Sequence, residues 1–342
     1  MKDFILFTIF ILLVVPHAHA VKGTYASKEH ELAQSCKLTF SAEVNGKIFN
    51  AICTASFIGN KTFSTAEHCE KYISDHFALL ESKKVKEAPY FECPGVERKI
   101  FVKEAFPIKD ARLTEGFDLA LMKVDDPLPE VSPLALPKTK DEIAELLKDP
   151  TKCFVNGYGR DNENKSGTLR AIQVVEWDAK PIGVPDVTTE SFKLTKNYAQ
   201  NGDSGGPMYC YQGERPILVG VVHGGRGDED YSIIEKITQG LDWMYFIRDS
   251  ESPDMKKFRS FIQMEEKCAA VIECFNKLES AAALSHDLKN ILKILTSNLT
   301  GMKAQLSQGK SLDSKEIDET WDAFDAEWQK NNCYEVLYPS KN

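Results

Sequence analysis

The stretch Asn201-Gly202-Asp203-Ser204-Gly205-Gly206-Pro207 decides how the rest of the chain is read. A serine hydroxyl is a weak nucleophile until a base takes its proton. It also needs backbone N–H groups aimed at the oxygen that becomes negative. Glycines flanking the serine allow a tight, exposed turn that presents hydroxyl and amides together. Ser204 is therefore the candidate nucleophile.

A base and its orienting acid lie upstream. Thr65-Ala66-Glu67-His68-Cys69 places a histidine beside a cysteine at the end of a β run. Gly116-Phe117-Asp118-Leu119-Ala120-Leu121 sets a lone carboxylate in an apolar strand. A buried charge is costly unless paired, and an imidazole N–H is a suitable partner. A lone aspartate is usually solvated or capping, and a lone histidine usually fills space. Both together with the Gly-Asp-Ser-Gly-Gly-Pro run, in the order His-Asp-Ser, make a nucleophilic constellation.

The surrounding texture is β. Leu38-Thr39-Phe40 leads to Asn45-Gly46, a hairpin signature, and then to the run from Lys47 to Ile58. Gly59-Asn60 turns the chain into Thr62–Thr65. Cys153-Phe154-Val155 ends at Gly157-Tyr158-Gly159, and Pro216 to His223 is closed by Gly224-Gly225. Many short strands with glycine turns predict a mainly β barrel or sandwich from about Leu38 to Ile247. After about Ser252 the spacing becomes helical. Phe258, Phe261, Ile262, Val271, Ile272 and Phe275 form one stripe. Leu288, Leu292, Leu295, Leu299, Met302 and Leu306 form a second, and Ile317, Trp321, Phe324 and Trp328 a third. These predict three amphipathic helices that pack as a C-terminal helical domain.

Taken together, these motifs resemble the trypsin/chymotrypsin-like serine proteases from about Cys53 to Ile247. The resemblance implies two antiparallel six-stranded β-barrels with the site in the cleft between them. It implies His68 as general base, Asp118 as its orienting acid and Ser204 as nucleophile, with the Gly202 and Ser204 N–H groups as the oxyanion hole. It implies disulfides Cys53–Cys69 and Cys153–Cys210. Leu241-Asp242-Trp243 through Ile247 resembles the closing helix. The expected organisation is a signal peptide over 1–20, a protease domain over 21–252 and a helical domain over 253–342.

The chain also departs from the family. The basic residue and Ile-Val-Gly-Gly-like start that mark activation are missing, and Val21-Lys22-Gly23-Thr24 is a poor match. Activity without a zymogen cut is expected. Tyr198 stands at the pocket position that is acidic in trypsin-type enzymes, and the pocket-wall cysteine is absent. Gly224 and Gly225 fit a pocket wall that binds substrate backbone as an added strand. His223 stands where the family usually has serine, either as a pocket residue for acidic substrates or as a hydrogen-bond partner of the triad.

Composition narrows the alternatives. Among 342 residues, Lys and Arg total 42 against 51 Asp and Glu, a net charge of −9. An acidic chain repels phosphate backbones, so no nucleic-acid partner is expected. Lys2, the apolar run Phe4 to Val15 and Ala18-His19-Ala20 read as a cleaved signal peptide, giving a secreted chain, extracellular or periplasmic. A bilayer core needs about 20 apolar residues, so no membrane span is expected. Polypeptides are the expected substrates, with a partner or regulator at the helical domain.

Export permits further disulfides, but the sequence leaves Cys36, Cys93, Cys268, Cys274 and Cys333 unassigned. No histidine is spaced to complete a zinc set with the last three, and neither metal nor cofactor is expected. Asn60-Lys61-Thr62, Asn164-Lys165-Ser166 and Asn298-Leu299-Thr300 fit the glycosylation pattern. Two other readings remain open. Gly202-Asp203-Ser204-Gly205-Gly206 also fits the nucleophile elbow of α/β-hydrolases, although that class needs its acid and histidine after the serine. A protease-like binding protein would use the same cleft for recognition alone.

Overall fold

The structure is a computed structural model. It describes residues 26–251 apart from 45–46, 72, 74–86, 109–116, 161–165, 179–190, 195–198 and 225–230, together with isolated positions beyond 251. The expected signal peptide, Val21, Tyr198 and Gly225 lie outside the described residues, as does most of the expected helical domain.

The first half is a closed antiparallel barrel. Its strands are β1 (Ser35–Val44), β2 (Lys47–Gly59), β3 (Thr62–Thr65), β4 (Tyr90–Glu92), β5 (Ile100–Pro107) and β6 (Ala120–Val124). They pair in the order β1-β2-β3-β6-β5-β4. Val44 pairs with Lys47 across the Asn-Gly hairpin, and Gly59 reverses the chain with a positive φ before β3. Leu38, Phe40, Phe57, Phe63 and Phe91 fill the barrel, and the Phe63 and Phe91 rings stack at 3.9 Å.

A short helix α1 (Lys140–Leu146) leads into the second half. Here the strands are β7 (Cys153–Gly157), β8 (Arg170–Gln173), β9 (Trp177–Asp178), β10 (Ser191–Leu194), β11 (Pro207–Gln212), β12 (Arg215–Gly224) and β13 (Ser232–Lys236), followed by helix α2 (Leu241–Asp249). They form a seven-stranded sheet in the order β8-β7-β11-β12-β13-β10-β9, where the family resemblance implied six strands. The difference is local. β8 and β9 are consecutive in the chain yet stand at opposite ends of the sheet order. The link from Gln173 to Trp177 can span at most about 14 Å, so the sheet must curl until its ends nearly meet. Counted as one bent strand, β8 and β9 restore a six-stranded, barrel-like half.

β6 joins the two halves. Successive side chains on a strand point to opposite faces. Met122 and Val124 enter the core of the first barrel, whereas Leu119 and Leu121 enter the cluster of the second half with Met208, Val221 and Trp243. All of β6 is buried for this reason. The segment after β6 also binds both halves, with Leu134 N–H donating to the Phe57 carbonyl and Leu218 N–H to the Ala135 carbonyl.

Helix α2 closes the second half with a fully buried Trp243. Its C-terminal carbonyls are capped by the Lys123 ammonium, which donates to Ser250 at 2.6 Å and Arg248 at 3.4 Å. Burial lowers the Lys123 pKa. Beyond α2, Met255, Phe258 and Cys274 are helical and belong to the same hydrophobic cluster. The Phe258 ring stacks on Phe246 at 4.8 Å. The chain after 251 therefore begins by packing against the β part.

Candidate active site

Asp118 comes from the segment just before β6, between the buried Phe117 and Leu119. Its carboxylate meets the helical turn 67–71 that follows β3. Oδ1 accepts the His68 backbone N–H at 2.8 Å, and Oδ2 lies 2.7 Å from Nδ1 of the same residue. The side chain of Asp118 is 8% exposed and that of His68 38%. A sealed carboxylate thus holds both the backbone and the ring of an imidazole that still reaches solvent. With Nδ1 donating to Asp118, Nε2 is the lone-pair edge.

Ser204 lies in the turn before β11. The Asp203, Gly205 and Gly206 N–H groups donate to Gln200, Val222 and Asp203 carbonyls. Among the described residues, the Gly202 and Ser204 N–H groups have no protein acceptor, which leaves them available to a developing oxyanion. Cys69 Sγ, next to His68, lies 3.7 Å from the Ser204 carbonyl oxygen. Among the described residues the Ser204 hydroxyl donates to the His223 carbonyl, at 3.5 Å, rather than to His68. Catalytic hydrogen bonds are often long before substrate binds, and rotation about χ1 moves this hydroxyl between staggered positions.

The turn hangs from the first barrel. Thr54 on β2 donates its backbone N–H to the Ser204 carbonyl at 2.8 Å. Its hydroxyl donates to the Gly202 carbonyl at 2.9 Å and accepts the Tyr158 N–H at 3.0 Å. Thr65 Oγ1 donates to the Thr54 carbonyl at 2.8 Å. Gly205 sits against this seam with φ +80°, and a Cβ there would fall 2.0 Å from Thr65 Oγ1 and 2.4 Å from the Thr54 carbonyl oxygen. Only glycine fits. No sequence signal had pointed to Thr54.

Asp203 anchors the turn from below. Its carboxylate accepts the Gly159 N–H at 2.6 Å and the Gln200 N–H at 2.7 Å. Burial raises its pKa to about 6, opposed by the Gln200 and Gly159 hydrogen bonds. Gly157 and Gly159 make the room, since a Cβ at either would lie within 2.6 Å of the Asp203 side chain.

Of the expected pocket residues, the structure places two. His223 lies at the cleft side of β12, with its ring nitrogen toward Glu235 and Asp118. Among the described residues, a Cβ added at Gly224 would meet nothing within 4 Å.

Three disulfides close the β part: Cys53–Cys69, Cys153–Cys210 and Cys36–Cys93, a pairing the sequence had left open. Cys274 is also disulfide-bonded. Cys53, His68 and Cys69 bring three ligand-type atoms within 4.8 Å, but the two sulfurs are joined to each other and offer no thiolate to a metal.

The family model described as Trypsin matches residues 23–244, well over half of the chain. The chain belongs to the trypsin family. Its class is thus the trypsin-like serine proteases, which are hydrolases. It is 23% identical over 215 residues to coagulation factor XI of Bos taurus, covering 56% of this chain and 33% of that protein. It is 28% identical over 207 residues to serine proteinase stubble of Drosophila melanogaster, covering 51% of this chain and 24% of that protein. The matched region is thus a third or less of either relative. Among the described residues no helix is long and apolar enough to cross a membrane.

Proposed function

We propose that the chain is an exported serine endopeptidase that cleaves polypeptides through an acyl-enzyme. The observation that carries this reading is the Asp118 carboxylate holding His68 by both its backbone N–H and its Nδ1, beside the Ser204 turn. Ser204 attacks the scissile carbonyl while His68 Nε2 takes its proton. Asp118 fixes the imidazole tautomer and stabilises the imidazolium. The Gly202 and Ser204 N–H groups receive the oxyanion. His68 then protonates the leaving amine, and water releases the acyl group by the same route in reverse. The clearance around Gly224 at the end of β12 supports binding of the substrate backbone there.

The three disulfides of the β part support an oxidising compartment. We also infer that no zymogen cut is needed. Both Asp203 oxygens already accept backbone N–H groups, so the nucleophile turn is supported without a new chain terminus. A chain starting at Val21 that stays inert until trimmed overturns this part. Residues 253–342 are proposed as a helical module, docked through Phe258, that offers a partner or regulator surface.

The test is labelling by a fluorophosphonate. The folded, oxidised chain is expected to be labelled and to cleave a protein substrate, whereas Ser204→Ala and His68→Ala are not. A correctly folded chain that is neither labelled nor active refutes the reading.

A further inference from the structure

The triad carboxylate has a second imidazole beside it. Val222 pairs with Ile234 on β13 and Gly224 with Ile233, so the register slips at His223 between them. Such a bulge re-aims a side chain out of the strand's alternation. Here it brings His223 Nδ1 to 3.0 Å from Glu235 Oε1 on β13 and 3.6 Å from Asp118 Oδ2. The rings of His223 and His68 lie 6.0 Å apart. The His223 carbonyl is also the acceptor of the Ser204 hydroxyl. One residue therefore meets the acid of the triad through its ring and the nucleophile through its backbone.

We propose that Glu235 and His223 form a second carboxylate–imidazole pair that positions Asp118. Among the described residues, the titratable groups placed against His223 include His68 from the helical turn, Asp118 from the segment before β6 and Glu235 from β13. Glu235 is fully buried, and a buried carboxylate needs a partner. Nδ1 carries at most one proton, and at 3.0 Å Glu235 takes that hydrogen bond. An ionised Glu235 as acceptor places that proton on Nδ1. Asp118 Oδ2 then faces the positive edge of the ring. If a donor replaced the Glu235 carboxylate, a bare Nδ1 lone pair would face Asp118 and repel it, loosening the carboxylate that must keep both oxygens on His68. His223 and Glu235 are positioning residues: they act through Asp118 and touch no substrate atom in this role.

This inference rests on the peptidase reading above, and its test separates the two. Glu235→Gln replaces an acceptor with an amide that can donate to Nδ1 and invert the His223 tautomer. The expected result is a kcat about 10- to 100-fold lower, the effect of one charge-assisted hydrogen bond, with KM changed by less than about 2-fold. The acid limb of the kcat/KM profile moves to lower pH, because one negative charge near the His68 imidazolium is gone. His223→Ala also lowers kcat, and His223→Asn, which keeps an N–H donor near the Nδ1 position, restores much of it. His223 is only part-buried, so these two variants decide the matter if Glu235→Gln does not fold.

A purely structural role would lower the melting temperature and leave kcat and the acid limb in place; that result overturns the proposal. If the wild type neither cleaves nor labels, the peptidase reading fails first. NMR titration of isotope-labelled histidines needs no turnover and still decides the second pair. A His68 titration that is the same in wild type, Glu235→Gln and His223→Ala refutes it.

Discussion

Replacing Thr54 with valine tests how the nucleophile turn is held. The two side chains have nearly the same shape, so the change deletes a hydroxyl and leaves the packing close to intact. The Gly202 carbonyl loses its donor at 2.9 Å and the buried Tyr158 N–H loses its acceptor at 3.0 Å. A buried polar group left unsatisfied costs about 1–3 kcal/mol, and the added methyl returns under about 1 kcal/mol. For two such groups the net loss is about 1–5 kcal/mol, read as a lower urea midpoint at unchanged slope. Activity falls as well, because the freed Gly202 carbonyl lets the Gly202–Asp203 peptide, which links the two oxyanion donors, rotate. Misplacing one oxyanion donor costs about 100- to 1000-fold in kcat, so a partial shift of about 10-fold or more is expected. Thr54→Ser keeps both hydrogen bonds and stays near wild type on both measures. A valine variant within about 0.5 kcal/mol of wild type and with unchanged kcat would refute the idea that β2 holds the turn.

Gly205→Ala forces a Cβ into the Thr54 carbonyl at φ +80° and is expected to lose more than about 4 kcal/mol or fail to accumulate as folded protein. Asp203 has a native pKa of about 6, above that of a free carboxyl. The stability it contributes is therefore complete below about pH 4 and is lost as pH rises through about 6. Asp203→Asn should remove that decline, measured as the pH dependence of the urea midpoint. Phe258→Ala deletes a fully buried ring stacked on Phe246 and is expected to cost about 3–5 kcal/mol in thermal or urea unfolding. An unchanged midpoint would mean that the chain after 251 does not support the β part.

What could be read in advance was what a short run of residues carries by itself. The Gly-Asp-Ser-Gly-Gly-Pro turn needs its glycines in place, so the sequence declares it. His68 beside Cys69 and Asp118 in an apolar strand were legible for the same reason. Contacts set by strand register were not. Nothing in the sequence singled out Glu235, and only the bulge at His223 brings the two together. Thr54 was one threonine in a long β run until pairing placed it under Ser204. The bend between β8 and β9 turns on residues 174–176, where no glycine or proline marks a break. The Cys36–Cys93 pair depends on β1 lying beside β4, a neighbour relation that spacing does not encode.

Thr54 has a mechanical consequence. The nucleophile belongs to one half of the molecule, but its peptide is hooked to a strand of the other. Rocking the halves apart would unhook it, so this cleft cannot admit its guest by gaping like a jaw. Entry must be sideways and local, and the rigidity that keeps the reactive alcohol on target also sets how wide a chain can slide through.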